Sequence, residues 1–313
     1  MCERKGYTSI MKHVFIVSSQ IKERKRRKFY DNIHTIYKNQ EYIIKETAYA
    51  GHAKDIAKEM TANNEYIRLY ACGGDGTLHQ IINGIQDFSK VEVAIIPLGT
   101  GNDFIKSFLP LNKKDFINLY NYQHDHTNSC NLLKVNEYYA INTASIGLDV
   151  KIAKNVEHFK FFSFLGSSVP YYLGLLYSMM HSLSSSYKIK INNQIVQDDF
   201  AFIVCGNGKY YGGGYCPVPD AKVDDNRMDI CLIKKVTRRK ILTLSHKYKT
   251  GKHIEYEDLV SIYQANSLEI LSPSKQLTLN LDGELETVDS LHICLADNNV
   301  KIVLPKNSID EKK

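Results

Sequence analysis

The sequence predicts an N-terminal α/β domain built on a doubly wound parallel sheet, then a mainly antiparallel β-sandwich domain, with a cleft between them. Three observations predict it. Short apolar runs alternate with helical patterns up to residue 128, as parallel strands joined by crossover helices require. Two of those runs end in glycine-rich turns, Ala71-Cys72-Gly73-Gly74-Asp75-Gly76-Thr77 and Pro97-Leu98-Gly99-Thr100-Gly101-Asn102-Asp103-Phe104. From residue 129 to 296 the texture shifts to short alternating runs separated by turn residues, which read as antiparallel strands.

In order, the first strand is read at His13-Val14-Phe15-Ile16-Val17, followed by helical spacing at Phe29, Ile33, Ile36 and Tyr37. A second strand runs from Tyr42 to Thr47, and a helix from His52 to Met60. Ile67 to Ala71 and Val91 to Ile96 are the third and fourth strands. Leu78, Ile81, Ile82 and Ile85 place a helix directly after the first glycine turn. In the second half, strands are read at 132–135, 138–142, 187–191, 200–205, 228–233, 267–271 and 277–281. The apolar stretch 161–183, broken by Gly166, Pro170 and His181, reads as part of two helices bridging the domains. It is too interrupted for a membrane span of about 20 apolar residues. The aromatic run Phe159-Lys160-Phe161-Phe162-Ser163-Phe164 suits a bilayer surface.

The glycine turns favour anions. A helix start presents unpaired N–H groups and partial positive charge, and glycines let the main chain approach a ligand closely. Asp75 inside such a turn would repel a bare phosphate, and a divalent cation between them removes the conflict. Thr77 and Thr100 are hydroxyl donors in this reading. No Gly-Lys-Ser/Thr follows the glycines, so this is not a P-loop. Near the end, Asp282-Gly283-Glu284 sets two carboxylates about one glycine; by itself Asp-Gly signals a hairpin.

The chain has 313 residues, 43% hydrophobic and 24% charged, with a net charge of +6, ordinary for a globular protein of two domains. Seven cysteines without regular spacing exclude a disulfide framework. The N-terminus is polar and lacks a signal peptide, so a reducing cytoplasm is expected. The basic run at residues 22–28 suits an anionic membrane surface or nucleotide phosphates. It has no nucleic-acid motif beside it.

Together these motifs resemble the diacylglycerol kinase catalytic family, which includes bacterial soluble lipid kinases and sphingosine and ceramide kinases. The first glycine turn is shared with NAD kinases, and the second is more specific. Residues 206–225, with Gly212-Gly213-Gly214 and the Asp224-Asp225 pair, also match. The resemblance implies ATP as phosphoryl donor, Mg²⁺, and a membrane lipid alcohol, diacylglycerol first, as acceptor. It implies nucleotide contacts from Thr47, Gly73, Gly74, Asp75, Gly76, Thr77, Gly99, Thr100, Gly101, Asn102 and Asp103. It implies a structural Mg²⁺ held by the Asp225 carboxylate and the carbonyls of Lys222 and Arg227. Asp282 is the implied general base, Glu284 its support, and Asp75 the carboxylate beside the nucleotide metal. A last segment, about 297–313, is expected to return to the first domain. Transient membrane-surface association is expected, no nucleic acid is, and a homodimer is compatible with the chain. His79, Gln80 and Asn131 depart from the family pattern. Two other readings stay open: an NAD-kinase-like enzyme, and a nucleotide-binding relative without catalysis.

Overall fold

The computed structural model describes residues 11–63, 65–99, 101–124, 126–159, 161, 169–178, 180, 182–271, 273 and 276–306. The chain divides into two compact units. The first comprises Met1–Thr100, Leu109–Cys130 and Asn298–Lys313; the second comprises Gly101–Phe108 and Asn131–Asp297. The break expected after residue 128 therefore falls after Cys130. The segment Gly101–Phe108, expected inside the first domain, groups with the second unit.

In chain order the first unit contains β1 (Lys12–Val17), α1 (Glu23–Ile36), β2 (Tyr42–Glu46), α2 (His52–Thr61), β3 (Ile67–Gly73), α3 (Asp75–Ile82), β4 (Val91–Pro97), α4 (Lys113–Ile117) and β5 (Thr127–Cys130). The second contains β6 (Leu133–Val135), β7 (Tyr138–Ala140), β8 (Thr143–Gly147), α5 (Leu148–Phe159), α6 (Val169–Ser178), β9 (Ser185–Ile191), β10 (Gln194–Gly206) and β11 (Met228–Lys234). It continues with α7 (Arg238–Lys249), β12 (Val260–Ala265), β13 (Ser267–Ile270), β14 (Leu277–Leu281), β15 (Glu284–Val288) and β16 (Leu291–Leu295). The last strand, β17 (Val300–Val303), rejoins the first sheet.

The first sheet has the order β2-β1-β3-β4-β17-β5. All of its pairs are parallel except that of β17 with β5. All seven residues of β3 are buried, as a strand covered on both faces must be. Val17 pairs with both Glu46 and Cys72, and Gly73 with Pro97, so four strands end nearly level. Aromatic groups with satisfied polar ends fill one face. Tyr70 stacks on Phe15 at 4.1 Å between centroids, and its hydroxyl meets Tyr37 at 2.8 Å and His13 at 3.0 Å. Burial pushes the Tyr70 phenol up. Arg68 crosses the sheet, pairing with Glu92 at 2.8 Å and donating to the Tyr122 carbonyl at 3.0 Å.

The second unit is one continuous hydrogen-bonded sheet of eleven strands folded on itself. β10 carries the fold. Its first half pairs with β9 and its second half with β8, with a register irregularity between Phe200 and Phe202. A bulge there bends the strand from one layer into the other. Inside the layers pack Leu133, Ile146, Phe200, Ile203, Met228, Leu279 and Leu291. Outside β10 and β11 a second apolar layer joins Leu148 and Ile152 of α5 to Ile241, Leu244 and Tyr248 of α7.

The sequence reading missed α4, β5, β8, β12, β15 and α7. Arg238, Arg239, Lys240, Lys247 and Lys249 dilute the helical stripe of α7. The helices expected to bridge the domains, α5 and α6, both belong to the second unit. They connect β8 to β9, and they touch closely: a Cβ on Gly174 would lie 3.1 Å from Val156 and 3.2 Å from the Ile152 carbonyl. Of the aromatic run, Phe159 closes α5 and Phe161 is 80% exposed. Lys160 and 162–164 lie outside the described residues.

Truncating Arg68 to Ala leaves Glu92 and the Tyr122 carbonyl without their buried donor. About 3–5 kcal/mol of stability is expected to be lost, read as a lower urea midpoint with an unchanged denaturant slope.

Candidate active site

The carboxyl ends of β1 to β4 gather one group of candidate residues, as expected for ligand sites in parallel sheets. β3 runs through Gly73 into α3, with Gly74 at the N-cap and Asp75 as the first helical residue. The two glycine turns touch through main chain: the Gly99 N–H donates to the Gly73 carbonyl at 2.9 Å. A Cβ on Gly99 would lie 2.6 Å from the Cα of Gly74 and 2.9 Å from its nitrogen. A Cβ on Gly73 would lie 2.2 Å from the Thr77 hydroxyl oxygen. Neither residue is among the positive-φ glycines. These glycines serve close approach, not left-handed backbone.

Thr47, just past β2, accepts the Ser19 N–H at 3.0 Å, and its own N–H donates to the Val17 carbonyl at 2.9 Å. This ties the loop after β1 to the strand ends. Asp75, Gly76 and Thr77 are half-buried. Thr100 lies outside the described residues.

Two lysines converge on the second turn. Lys113 donates to the Gly99 carbonyl at 2.8 Å and Lys25 to the Leu98 carbonyl at 3.1 Å. Burial, then repulsion from Lys25, push the Lys113 ammonium down, and Asp75 opposes them. Sequence reasoning placed Lys25 only within a basic run and missed Lys113. The available signal was local. Asn112 and Asp115 form a capping box around Lys113, which fixes where that lysine starts its helix.

A second group of candidate residues lies wholly in the other unit. Asn102 has φ 53° and Gly101 precedes it as exposed backbone. Asp103, 3% exposed, pairs with Lys106 at 2.6 Å and accepts the Gly213 N–H at 2.7 Å. Asp282 and Gly283 have φ of 53° and 104° and join β14 to β15 with Leu281 opposite Glu284. Positive φ at both central residues is the hairpin turn for which Asp-Gly is suited. The same Asp282, 8% exposed, turns its carboxylate onto the segment between β7 and β8. Oδ2 accepts the Ile141 N–H, and Oδ1 accepts those of Asn142 and Thr143, each at 2.9 Å. Glu284 is half-buried at the start of β15.

Asparagines extend this network. The Asn142 side chain donates to the Tyr210 carbonyl. Asn207, fully buried, donates from Nδ2 to the carbonyls of Asn131 at 2.8 Å and Ile141 at 2.7 Å. A Cβ on Gly208 would lie 2.0 Å from Asn142 Oδ1 and 3.3 Å from Ser107 Oγ, so only glycine fits. Hydrogen bonds thus lead from Asp103 through the 210–213 loop and Asn142 to Asp282 within one unit.

At the 222–227 turn, Asp225 Oδ1 accepts the Arg227 N–H at 3.1 Å. Asn131 and Asn226 bind reciprocally: Asn131 Nδ2 donates to Asn226 Oδ1 at 2.8 Å, and the Asn226 N–H donates to Asn131 Oδ1 at 2.9 Å. Among the described residues no three His, Cys, Asp or Glu side chains assemble as a metal cluster. One observation fits the implied cation. Asp229, 2% exposed, has an Oδ2 without a partner. Burial, and then the charges of Asp225 and Asp220, push its carboxyl up. A hard cation at Asp225 would relieve both conditions.

Asp149, at the start of α5, is buried beside the Ser145 hydroxyl. Burial pushes its carboxyl up to about 6. The folded state then holds this proton more tightly than the unfolded chain. Its contribution favours folding below about pH 4 and is lost as pH rises through about 6. Asp149→Asn is expected to gain about 2–3 kcal/mol over the parent chain between pH 4 and pH 8, measured by urea titration across that range.

Comparison with known proteins now bears on this geometry. The diacylglycerol kinase catalytic domain family matches residues 12–135. The YegS C-terminal NAD kinase beta sandwich-like domain matches residues 142–303. A protein named diacylglycerol kinase from Staphylococcus haemolyticus is 26% identical over 257 residues, covering 81% of this chain and 76% of its own. Another of that name, from Staphylococcus carnosus, is 25% identical over 255 residues, covering 80% and 81%. A solved Bacillus anthracis chain shares the fold with TM-score 0.75 at 22% identity, covering 99% of both chains. A second, described as a diacylglycerol kinase from that organism, has TM-score 0.67 at 20% identity, covering 96% and 99%. The two domain matches lie in family order along one chain, and they place this protein in the bacterial soluble lipid kinase family.

Proposed function

We propose that this chain transfers the γ-phosphoryl group of ATP to a lipid hydroxyl, with diacylglycerol as acceptor and phosphatidic acid as product. The observation that carries the reading is the backbone crossing of Gly99 on Gly73 and Gly74 at the start of α3. It brings glycine main chain against a helix start, where the first N–H groups lack intrahelical acceptors, as a polyphosphate site requires.

In the proposed reaction the lipid oxygen attacks the γ-phosphorus, the bond to the bridging oxygen breaks, and ADP leaves. The hydroxyl proton goes to Asp282, whose orientation three backbone N–H groups fix. Those bonds hold the carboxylate in one orientation for the incoming proton. Glu284 supports it from the next strand. Asp75 would hold Mg²⁺, which would neutralise charge at the phosphates. The Asp225 carboxylate and the carbonyls of Lys222 and Arg227 would hold a second Mg²⁺.

The enzyme works at the cytoplasmic face of a membrane. Among the described residues no helix is long and apolar enough to cross one, so association is peripheral.

Incubation with labelled ATP, Mg²⁺ and mixed micelles carrying diacylglycerol is expected to give labelled phosphatidic acid. Transfer to NAD, with none to any lipid alcohol, would overturn the reading in favour of an NAD-kinase-like enzyme. Asp282→Asn is expected to lower kcat by at least about 100-fold. Nucleotide affinity is expected to stay unchanged, since Asp282 belongs to the second unit and the glycine turns at the head of α3 to the first. Retained turnover would remove Asp282 as the base.

A further inference from the structure

A P-loop carries its phosphate-binding lysine inside the loop. Here the corresponding turn reads Gly73-Gly74-Asp75-Gly76-Thr77 and brings a carboxylate instead. The fold supplies cations from elsewhere. Lys25 is the third residue of α1 and Lys113 the first of α4. They meet on successive carbonyls, Leu98 and Gly99, of the second glycine turn. Gly99 is the residue pressed against Gly74 at the head of α3.

Both side chains are held from behind. Arg26 donates to the carbonyls of Ser19 at 2.8 Å and Ile21 at 3.1 Å, which anchors the start of α1. The Asn112–Asp115 capping box anchors the start of α4. Each ammonium has three donors. The contact given for each engages one of them, and the acceptor is a neutral carbonyl. Two like charges gathered at one turn repel, and the carboxylate acting on Lys113 is Asp75. An arrangement with two cations and one anion is completed by an added anion. Two ammonium groups on successive carbonyls match successive phosphates better than a single one.

The geometry points to Lys25 and Lys113 as a lysine pair that binds the polyphosphate tail of the nucleoside triphosphate, in place of the missing loop lysine. This rests on the kinase reading above and assigns residues that its motifs do not contain.

Direct binding tests it without any lipid. Calorimetric titration of the full chain with ATP, adenosine and inorganic tripolyphosphate is compared with Lys25→Met, Lys113→Met and Lys113→Arg. Each Met variant is expected to weaken ATP and tripolyphosphate about tenfold, or 1.4 kcal/mol, while adenosine changes less than about twofold. Lys113→Arg is expected to keep most of the affinity, since the charge remains. Both lysines are exposed, and an unchanged melting temperature confirms that the variants fold. Met variants that bind tripolyphosphate and ATP as the parent does would overturn the inference. A parent chain that binds tripolyphosphate but not ATP would overturn the kinase reading and leave the anion site standing.

Discussion

Two stretches of main chain meet at Gly74 and Gly99 with no space for one more carbon between them. Much of the first unit depends on that contact. It sets how far β3 and β4 run before they turn, and it brings the head of α3 beside the second turn. It also explains the residue types. Gly99 is not needed for a left-handed backbone and is there because a side chain on it would push the two segments apart, whereas a Cβ on Gly74 would meet Gly99 only at 3.8 Å. The lysines, the hydroxyl of Thr47 and the carboxylate of Asp75 are then arranged about a fixed backbone frame.

The second unit solves a different problem. A hairpin tip is an exposed and mobile place for a reactive carboxylate. Asp282 sits at such a tip but points inward, where three N–H groups of residues 141–143 hold it. The turn conformation and the capping bonds reinforce each other, so one residue serves both the fold and the site. Asn142 and Asn207 carry the restraint outward to the glycine-rich loop and to Asn131. At Asn131, which departs from the family pattern, the side chain forms a reciprocal amide pair with Asn226. Neutral amides donate and accept in the same contact, which closes the turn without adding negative charge beside Asp225.

Much of the fold was legible because its strands are short, apolar and bounded by glycine. The parallel sheet followed from β1, β3 and β4 as continuous buried runs, with β2 a half-buried edge strand beside them. The sandwich followed from alternation in β9, β10 and β14. The signal was lost where surface chemistry covers the pattern. The basic residues of α7 hide Ile241, Leu244 and Tyr248, and β12 carries exposed Ile262 among polar neighbours. The site was legible at its glycines, since close approach leaves a mark in sequence. Lys113 left only the capping box that marks where its helix starts, because its role arises from a fold that brings residue 113 back to residue 99. The inward turn of Asp282 was equally invisible, since Asp-Gly reads the same in any hairpin.

The claim underneath is that backbone contact between the two glycine turns creates the nucleotide site. Gly99→Ala tests it most directly, with ATP affinity and far-ultraviolet circular dichroism measured on the same sample. The account predicts a folded chain whose ATP affinity falls at least about tenfold, because the added methyl separates the turns. A folded Gly99→Ala protein that binds ATP as tightly as the parent would contradict it.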